Sequence, residues 1–400
     1  MNRREVKRAP VLRFKGFTND WEQRKLGDET NRIKSYSISH GFEVAEDTGT
    51  KYIHYGDIHT SKVKNINNID VLPNIKDNNY KPLKYGDVIV ADASEDYKGI
   101  ADACIVNTIS DSYKIVAGLH TIAFRPKSKL CSKFLYFYLS TDIFKHFGYK
   151  TGTGLKVFGI SYKELAKFKL KEPSVTEQKK IVKLLFLIEK AINLQQRKLK
   201  LLKVMKKALS QYMFCQETEF VPILRFNSFS DKWKYERLKK LIVKEIKGKA
   251  KADMKGTKST YIDTALLNGG SITKVDSPTD TFHNDIIILW DGSQAGKIYH
   301  GFTGALGSTL KSYKPKYSGG FLYQYLKSKE PIIFLRYRTP NIPHVIKDFT
   351  EIFKINVPSV KEQEKISKTL NYLDQRILVE TKKIGSIKKI KKFLLQNMFI

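Results

Sequence analysis

Cysteine, long apolar runs and acidic side chains are scarce in this sequence, and each shortage excludes something. The three cysteines, Cys104, Cys131 and Cys215, are scattered through 400 residues. An odd and scattered set excludes a disulfide framework and a CxxC zinc site, and it fits a reducing compartment. We expect Cys215 to be a small apolar core residue and not a reactive thiol.

Membrane signals are missing as well. No apolar run approaches the roughly 18 residues that a transmembrane helix needs. The basic start, Met1 to Arg4, is not followed by the apolar core of a signal peptide. We therefore expect a cytoplasmic protein with no membrane segment.

Acidic residues are few relative to basic ones. The chain has 40 Asp and Glu against 72 Lys and Arg, a formal net charge of +32. Such an excess indicates an anionic partner, either nucleic acid or an acidic membrane surface. Every quarter of the chain is positive, so the charge belongs to folded surfaces and not to a basic tail. The 41% of hydrophobic residues suffices for cores, and the length predicts two or three domains.

Catalytic signatures are also missing. There is no GxxxxGK[ST] phosphate loop, no GxGxxG after a strand, no HExxH and no Asn/Asp-Pro-Pro-aromatic motif of an amino-methyltransferase. His54 and His59 are five residues apart on a strand or loop, where we expect a structural role. Asp285 or Asp291 with Lys297 could form a nuclease site, but such trios are common by chance in a basic protein. The sequence favours binding; the alternative is a self-sufficient DNA-modifying or DNA-cleaving enzyme with a cryptic site.

The chain contains an internal repeat. Four segments of the first half recur in the second: residues 10–21 as 222–233, 86–90 as 284–288, 134–139 as 321–326, and 173–178 as 358–363. The offset shrinks along the first part of each half and is then constant to the C-terminus. Each half is therefore a variable globule followed by an element of fixed length. The predicted order is a globule (1–172), a rod (173–216), a globule (217–357) and a rod (358–400).

The rods have the apolar pattern of coiled-coil helices, with spacings that alternate between four and three. Ser174 or Thr176 can cap the first rod, and a helix of about 38 residues would be about 57 Å long. The seam of the first rod contains Ile188, Ile192, Leu199, Leu202 and Leu209, interrupted by Gln195 and Lys206. The seam of the second contains Leu373, Ile377, Ile384, Ile387, Leu394 and Met398, interrupted by Glu380 and Lys391.

We expect the two helices to run antiparallel, as a two-fold-related pair within one chain. One register pairs every polar interruption with another, Gln195 with Lys391 and Lys206 with Glu380. Its apolar layers are Ile188 with Met398, Ile192 with Leu394, Leu199 with Ile387, Leu202 with Ile384, Leu209 with Ile377, and Met213 with Leu373. A shift of one heptad would set Glu380 against Leu199 and Lys391 against Ile188, and burying an unpaired charge costs several kcal/mol. Packing of each helix on its own globule is the alternative.

The globules combine two kinds of element. Short β-branched runs at residues 87–90 and 285–289 predict strands, and the apolar faces of 134–139 and 321–326 predict short helices. The predicted fold class is α+β. It comprises two similar globules and two long helices in an antiparallel coiled coil, with an internal pseudo-two-fold relation.

Two features favour DNA as the anionic partner. Aromatic residues make up 12% of the chain and are interleaved with Lys and Arg, which neutralise phosphates. The copies also differ in two loops where a repeated scaffold would carry different specificities, 92–99 against 290–297 and 150–156 against 336–344. The candidate DNA-binding residues are Lys34, Lys98, Lys150, Thr151, Thr153, Lys156, Ser293, Gln294, Lys297, Arg336, Arg338, Thr339, Asn341 and His344.

This plan resembles the DNA specificity (S) subunit of type I restriction-modification systems, over about residues 10–400. The resemblance rests on the doubled organisation and on recurring strings. These are Val11-Leu-Arg-Phe with Trp21 and Lys25-Leu-Gly-Asp28, Tyr85-Gly-Asp-Val-Ile-Val90, Leu289-Trp-Asp-Gly-Ser293 with Gly307-Ser-Thr309, and Pro173-Ser with Glu177-Gln-Lys-Lys-Ile181 and its copy at Pro358. The first globule has Asp92-Ala-Ser94 where the second has Trp-Asp-Gly-Ser, so that string matches only in the second.

The resemblance implies that each globule is a target recognition domain that reads one half of a split site in double-stranded DNA. The rods would be the family's conserved spacer helices, which fix the gap and help to dock two methyltransferase (M) subunits. Those subunits would carry S-adenosylmethionine and methylate adenine, whereas this chain would hold no cofactor or metal. Restriction (R) motor-nuclease subunits would join optionally. The chain itself would be non-catalytic.

Overall fold

The chain forms two compact units. The structure, a computed structural model, describes residues 9–60, 62–95, 99–154, 157–216 and 219–400. Unit 1 comprises Met1–Leu194 and Ile384–Ile400, and unit 2 comprises Gln195–Lys383. Both units mix helices with strands, which confirms the predicted α+β class.

Unit 1 is built from short strands and short helices. Its strands are β1 (Glu22–Lys25), β2 (Thr30–Ile33), β3 (Glu43–Val44), β4 (Thr50–Ile53), β5 (Asn65–Ile66), β6 (Asn74–Ile75), β7 (Val88–Ala91), β8 (Ala93–Ser94), β9 (Ala103–Val106), β10 (Lys114–Ala117), β11 (Thr121–Pro126), β12 (Phe158–Gly159) and β13 (Lys169–Glu172). Its helices are α1 (Leu26–Glu29), α2 (Tyr55–His59), α3 (Ser132–Leu139), α4 (Asp142–Thr151), α5 (Tyr162–Ala166), the long α6 (Val175–Tyr212) as far as Leu194, and the end of the long α11 (Val360–Asn397) from Ile384. The largest sheet has the order β2-β11-β7-β9-β5, and a second has the order β10-β4-β6-β3.

Unit 2 contains the rest of α6 and a similar set of elements. Its strands are β14 (Lys234–Arg237), β15 (Ile242–Lys247), β16 (Lys255–Ile262), β17 (Lys274–Val275), β18 (Ile286–Leu289), β19 (Ile298–His300), β20 (Ala305–Leu306), β21 (Leu310–Pro315) and β22 (Lys354–Val357). Its helices are α7 (Thr264–Leu267), α8 (Gly319–Ser328), α9 (Glu330–Arg336), α10 (Phe349–Ile352) and the long α11 (Val360–Asn397) as far as Lys383. The largest sheet has the order β15-β21-β18-β19.

The strand β7 is central to unit 1 because both of its faces are covered. All four residues are apolar and buried, a pattern typical of a strand that packs on both sides. Val88 and Val90 belong to a core that includes α3, whereas Ile89 and Ala91 belong to a second core that includes residues of β4 and β10. Alternate residues of β18 divide between two cores of unit 2 in the same way. The strands predicted at residues 87–90 and 285–289 are confirmed as β7 and β18. The helices predicted at residues 134–139 and 321–326 are confirmed as α3 and α8.

An aromatic residue just beyond each long helix completes the core of one unit. In unit 1 the ring of Phe399, which follows α11, lies 5.3 Å from that of Phe134 and 5.4 Å from that of Tyr138. In unit 2 the ring of Phe214, which follows α6, lies 5.8 Å from that of Phe321 and 5.2 Å from that of Tyr325. The end of the second repeat therefore packs in unit 1, and the end of the first repeat packs in unit 2.

The long helices have 38 residues each, as predicted, and each begins with a cap and an ion pair. Ser174 Oγ accepts a hydrogen bond from the backbone N–H of Glu177 at 3.4 Å. The Glu177 carboxylate, 1% exposed, accepts two bonds from the Arg13 guanidinium at 2.7 and 2.8 Å. The same contacts join Ser359, Glu362 and Arg225 in unit 2. A bidentate pair at each helix start holds the preceding segment of the chain against the helix.

Ion pairs in unit 2 show that α6 and α11 run antiparallel. Lys198 Nζ lies 2.6 Å from Glu380 Oε1, and Lys206 pairs with Asp374. Later residues of α6 therefore meet earlier residues of α11, as the coiled-coil prediction requires. The predicted pairing of Lys206 with Glu380 is wrong, because each of the two has a different partner.

In unit 1 the partner of Lys391 also differs from the prediction. Its ammonium donates to Glu189 Oε1 at 2.6 Å, whereas Gln195 was the predicted partner. The observed contacts fit the register that is shifted by about one heptad from the predicted one. From the sequence, that register is disfavoured because it leaves unpaired charges in the seam. The pairs reduce that cost, because Glu189 and Lys198 lie beside the seam and their long side chains reach its charged positions.

Two further expectations concern Cys215 and the membrane. Cys215 is 1% exposed in the core of unit 2, and burial raises the pKa of its thiol to about 12. Its burial confirms the predicted core role, and the raised pKa disfavours the reactive thiolate form. Within the described residues, no helix has the length and apolarity to span a membrane.

Candidate nucleic-acid interface

The two loops predicted to read DNA in unit 1 meet through the short strands beside them. β8 pairs antiparallel with β12, so that Ser94 lies opposite Phe158 and Ala93 opposite Gly159. Gly159 also exchanges two backbone hydrogen bonds with Thr153, at 2.8 and 3.0 Å. Segments that are far apart in the chain thus form one surface, although nothing in the local sequence connects them.

Three of the candidate residues lie at the end of α4. Lys150 is exposed, and Thr151, the last residue of the helix, donates through Oγ1 to the carbonyl of Phe147 at 2.7 Å. Thr153 is exposed after the helix. Lys150 and Thr153 can therefore approach a phosphate, whereas the Thr151 hydroxyl already has a partner within its helix.

The other candidates of unit 1 have different placements. Lys34 is exposed, and its ammonium lies 5.1 Å from the centroid of the Tyr36 ring. A cation over an aromatic face is attracted by the negative face of the ring, which holds the lysine side chain in place. Lys98 and Lys156 lie outside the described residues.

The two predicted loops of unit 2 also meet. The N–H of Gly292 donates to the carbonyl of Pro343 at 2.9 Å, and the guanidinium of Arg338 donates to the carbonyl of Ser293 at 3.0 Å. Gly292 has a φ of +110°, a conformation that favours glycine and turns the chain toward the second loop. The loops at 290–297 and 336–344 are therefore one ordered surface.

Within this surface some candidate side chains bind one another and others are exposed. Lys297 Nζ donates to Gln294 Oε1 at 2.9 Å, and Thr339 Oγ1 lies 3.0 Å from His344 Nδ1. The exposed candidates are Ser293, Gln294, Arg336 and Asn341. These side chains include amide, hydroxyl and guanidinium groups, which are the groups that read base edges.

A cluster of aromatic and imidazole rings beside the first loop of unit 1 was not predicted from the sequence. The Tyr55 ring lies 4.5 Å from His54, 5.8 Å from His59 and 5.3 Å from His120. His54 Nδ1 accepts from the N–H of Gly56 at 3.2 Å and so caps α2, which confirms its structural role. The spacing of His54 and His59 was a signal for part of this cluster, but His120 enters only through the sheet.

His59 is fixed from both of its ring nitrogens. Nδ1 lies 3.1 Å from Asp102 Oδ2, and Nε2 lies 2.7 Å from the carbonyl of Ala93. Burial lowers the pKa of His59, but its bonds to Asp102 and Ala93 outweigh burial and raise that pKa above its usual value. Asp102 is also paired with Lys145. This group of charges supports the start of β8, where the first loop begins.

In unit 2 a lysine ammonium lies over the ring of Trp290, the residue that follows β18. Lys311 Nζ, on β21, lies 3.4 Å from the centroid of Trp290, and burial lowers the pKa of this lysine. The sequence predicted the Trp290 loop but not Lys311. The two residues become neighbours only when β18 pairs with β21, which sets Ile288 opposite Lys311.

One acid of the possible nuclease trio is buried and has a structural partner. Asp285, an acid of the possible nuclease trio, is 3% exposed, and its Oδ2 accepts from the N–H of Phe282 at 2.9 Å within a turn. Burial raises the pKa of this carboxyl. In the described part of the chain, no three His, Cys, Asp or Glu side chains are grouped so that they could hold a metal ion. What the loops offer is cationic charge together with hydrogen-bond donors and acceptors.

Comparison with known families gives a match in both halves of the chain. The family model for the type I restriction modification DNA specificity domain matches residues 18–204 and again residues 230–389. Each match covers one globule and most of the long helix that follows it.

Individual relatives agree with this family. A curated protein, the type I restriction enzyme MjaVIII specificity subunit of Methanocaldococcus jannaschii, is 34% identical over 168 residues. That stretch is 39% of this chain and 40% of the relative, so the chain matches less than half of the relative's length. The solved S subunit of a type I restriction-modification system from M. genitalium has the same fold, with a TM-score of 0.69, 15% identity, and coverage of 98% of this chain and 99% of that chain. A chain from a structure of type I restriction-modification complex assembly matches with a TM-score of 0.54 and 14% identity, over 94% of this chain and 96% of that one.

Proposed function

Since this chain belongs to the family of type I restriction-modification DNA specificity domains, we propose that it is the non-catalytic specificity subunit of such a system. In this proposal each unit reads one half of a bipartite site in double-stranded DNA. The observation that carries the proposal is the double family match, once for each globule with its long helix. A chain with two recognition domains and different loops on each has the organisation that a split, asymmetric site requires.

The charge of the chain supports DNA as the ligand. With a net charge of +32, sequence-independent phosphate contacts supply much of the affinity, and the loops add the choice of bases. The exposed lysine at 150 is suited to phosphate. The exposed amide and hydroxyl groups at 293, 294 and 341 are suited to base edges.

The long helices serve as the spacer in this proposal. Each has 38 residues, or about 57 Å, and one turn of DNA is about 34–36 Å. In this proposal the antiparallel pair of helices sets the gap between the two half-sites. Ion pairs such as Lys198 with Glu380 keep the helices in register.

The outer faces of the same helices are suited to protein partners. Leu187, Leu194 and Leu201 recur every seven residues on α6 and are 56%, 57% and 60% exposed. Tyr372 and Phe393 on α11 are 61% and 56% exposed. Apolar side chains at heptad spacing on a helix are typical of a surface that another helix covers. We assign these faces to two methyltransferase subunits, which carry S-adenosylmethionine, and restriction subunits join optionally.

The test is to sequence methylated adenines in cells that express this chain together with its methyltransferase subunit. We expect methylation at a split motif with a constant gap, and none when the methyltransferase is expressed without this chain. Methylation or cleavage of DNA by the purified chain alone would instead support the self-sufficient enzyme. An unsplit motif would contradict the assignment of one half-site to each unit.

The spacer role has its own experiment. Insertion of about four residues into both helices adds about 6 Å of helix, equivalent to roughly two base pairs of DNA. We expect the methylated motif to keep both half-sites and to gain a longer gap. A control chain with the same insertion in a loop of unit 1 should keep the original gap. An unchanged gap after helix insertion would refute the spacer role.

A further inference from the structure

The residue that follows β7 is held by backbone hydrogen bonds on both sides. The N–H of Asp92 donates to the carbonyl of His120 at 3.0 Å, and its carbonyl accepts from the N–H of Ile160 at 2.8 Å. His120 is the residue immediately before β11, the neighbour of β7 in the sheet. These contacts place His120 at the base of the first loop.

Unit 2 has the same arrangement after β18. The N–H of Trp290 donates to the carbonyl of Thr309 at 2.9 Å, and its carbonyl accepts from the N–H of Val345 at 2.9 Å. Thr309 immediately precedes β21, the neighbour of β18. His120 and Thr309 are therefore at equivalent positions of the two units, because the backbone hydrogen bonds around them follow the same pattern.

The side chains at these equivalent positions differ, and both are exposed. His120 is 48% exposed, and its Nδ1 lies 3.2 Å from Asp92 Oδ1. In the neutral tautomer whose Nδ1–H donates to the Asp92 carboxylate, Nε2 is a hydrogen-bond acceptor. Among the described residues Nε2 has no hydrogen-bond partner. Thr309 offers a hydroxyl instead, which can donate or accept.

The backbone of unit 1 is strained at this place. The described non-glycine residues with positive φ are Asn79, Ala101 and His120, at 53°, 62° and 54°. Ala101 and His120 both contact the end of β7. The N–H of Ala101 donates to the carbonyl of Ala91 at 3.1 Å, and the carbonyl of His120 accepts from the N–H of Asp92. Such conformations persist where the surroundings impose them, and they are frequent at ligand sites.

We propose that His120 in unit 1 and Thr309 in unit 2 are specificity-determining residues, which contact base edges at equivalent places in the two half-sites. Asp92 is a positioning residue that fixes the His120 ring. With Nε2 as an acceptor, His120 recognises an exocyclic amino group, that of adenine or cytosine. This inference rests on the proposed function.

The experiment is selection from a pool of randomised duplex DNA by the full-length chain with its methyltransferase subunit. The variants are His120→Asn, which tolerates a left-handed backbone but is too short to reach the same base, and Thr309→Ala. We expect His120→Asn to lose about tenfold preference at one position of one half-site, with the other half-site unchanged. Thr309→Ala should alter only the other half-site.

Further variants separate a reading role from a structural one. Asp92→Asn should weaken the same base preference as His120→Asn, and His120→Gly, which relieves the strain, should reproduce it. Unchanged preferences in both half-sites, or an equal loss of both, would overturn the inference. If the wild-type chain itself selects no split motif, the proposed function fails, and that outcome is visible before any variant is made.

Discussion

Glu172 offers a sharp test of the electrostatics of unit 1. It is the last residue of β13, it lies opposite Glu22 in the β1–β13 ladder, and it is 8% exposed. Its Oε2 is buried with no hydrogen-bond partner among the described residues. Burial, and then the nearby carboxylate of Glu29, raises the pKa of Glu172 from 4.5 to about 7. The equivalent residue of unit 2 is Val357, opposite Lys234, so the repeat frame does not require a carboxyl here.

The sign and size of the effect follow from this shift. The folded chain binds the Glu172 proton more tightly than the unfolded chain, so stability from this group is present below pH 4.5 and is lost as pH rises through about 7. A shift of this size corresponds to at most about 3 kcal/mol. The neutral variant Glu172→Gln avoids the loss. Its advantage over wild type in free energy of unfolding should widen by about 2 kcal/mol between about pH 5 and about pH 8.

Calorimetric thermal unfolding at several pH values measures this difference. For a unit of about 200 residues, 2 kcal/mol corresponds to roughly 4–8 °C in the unfolding midpoint. Glu46→Gln, at an exposed position, is the matched control and should show no widening. In a chain that also carries Glu22→Gln, the pH-dependent difference between Glu172 and Gln at position 172 should be smaller, because the repulsion between the Glu22 and Glu172 carboxylates is removed. A midpoint difference between Glu172→Gln and wild type that is the same at every pH would refute the reasoning.

Three other predictions concern named contacts. The single variants Lys206→Asp and Asp374→Lys should each lower the unfolding midpoint, because each breaks the ion pair between α6 and α11. The double variant should restore the midpoint, whereas additive losses would contradict the observed register. Lys150→Ala should weaken DNA binding uniformly across sequences and reduce the slope of log affinity against log salt by about 0.9, which a titration over several salt concentrations measures. Arg13→Ala should lower the free energy of unfolding, measured by chemical denaturation, by roughly 3 kcal/mol, because it leaves the Glu177 carboxylate, 1% exposed, without its bidentate partner. The surface variant Arg24→Ala should lower it little.

The sequence predicts the two long helices and the mixture of helices and strands well because their signals are local or repeated. The heptad spacing defines both long helices, and the repeat by itself divides the chain into two halves of the same plan. The register of the helices was predicted wrongly for a physical reason. A seam pattern counts only residues in the seam, whereas the partners of Glu380 and Lys391 are Lys198 and Glu189, just outside it.

The candidate interface was predicted in part. Comparison of the two copies identified the loops that meet in each unit, because loops that differ on a repeated scaffold stand out in the sequence. It missed His120 and Lys311, which lie on or beside neighbouring strands and reach the loops only through sheet pairing. Their positions depend on strand register, which single-chain patterns do not define.

The packing of Phe399 in unit 1 has a consequence for the order in which the chain can fold during synthesis. Unit 2 is one continuous stretch, whereas unit 1 needs residues from Ile384 onward, including Asn397, whose carbonyl accepts from the N–H of Leu12 at 2.8 Å. At about 5–20 residues per second, the ribosome adds the intervening 200 or so residues in roughly 10–40 seconds. The apolar site around Phe134 stays open for that time. The unit that is made first is therefore completed last, after unit 2 has had all of its residues.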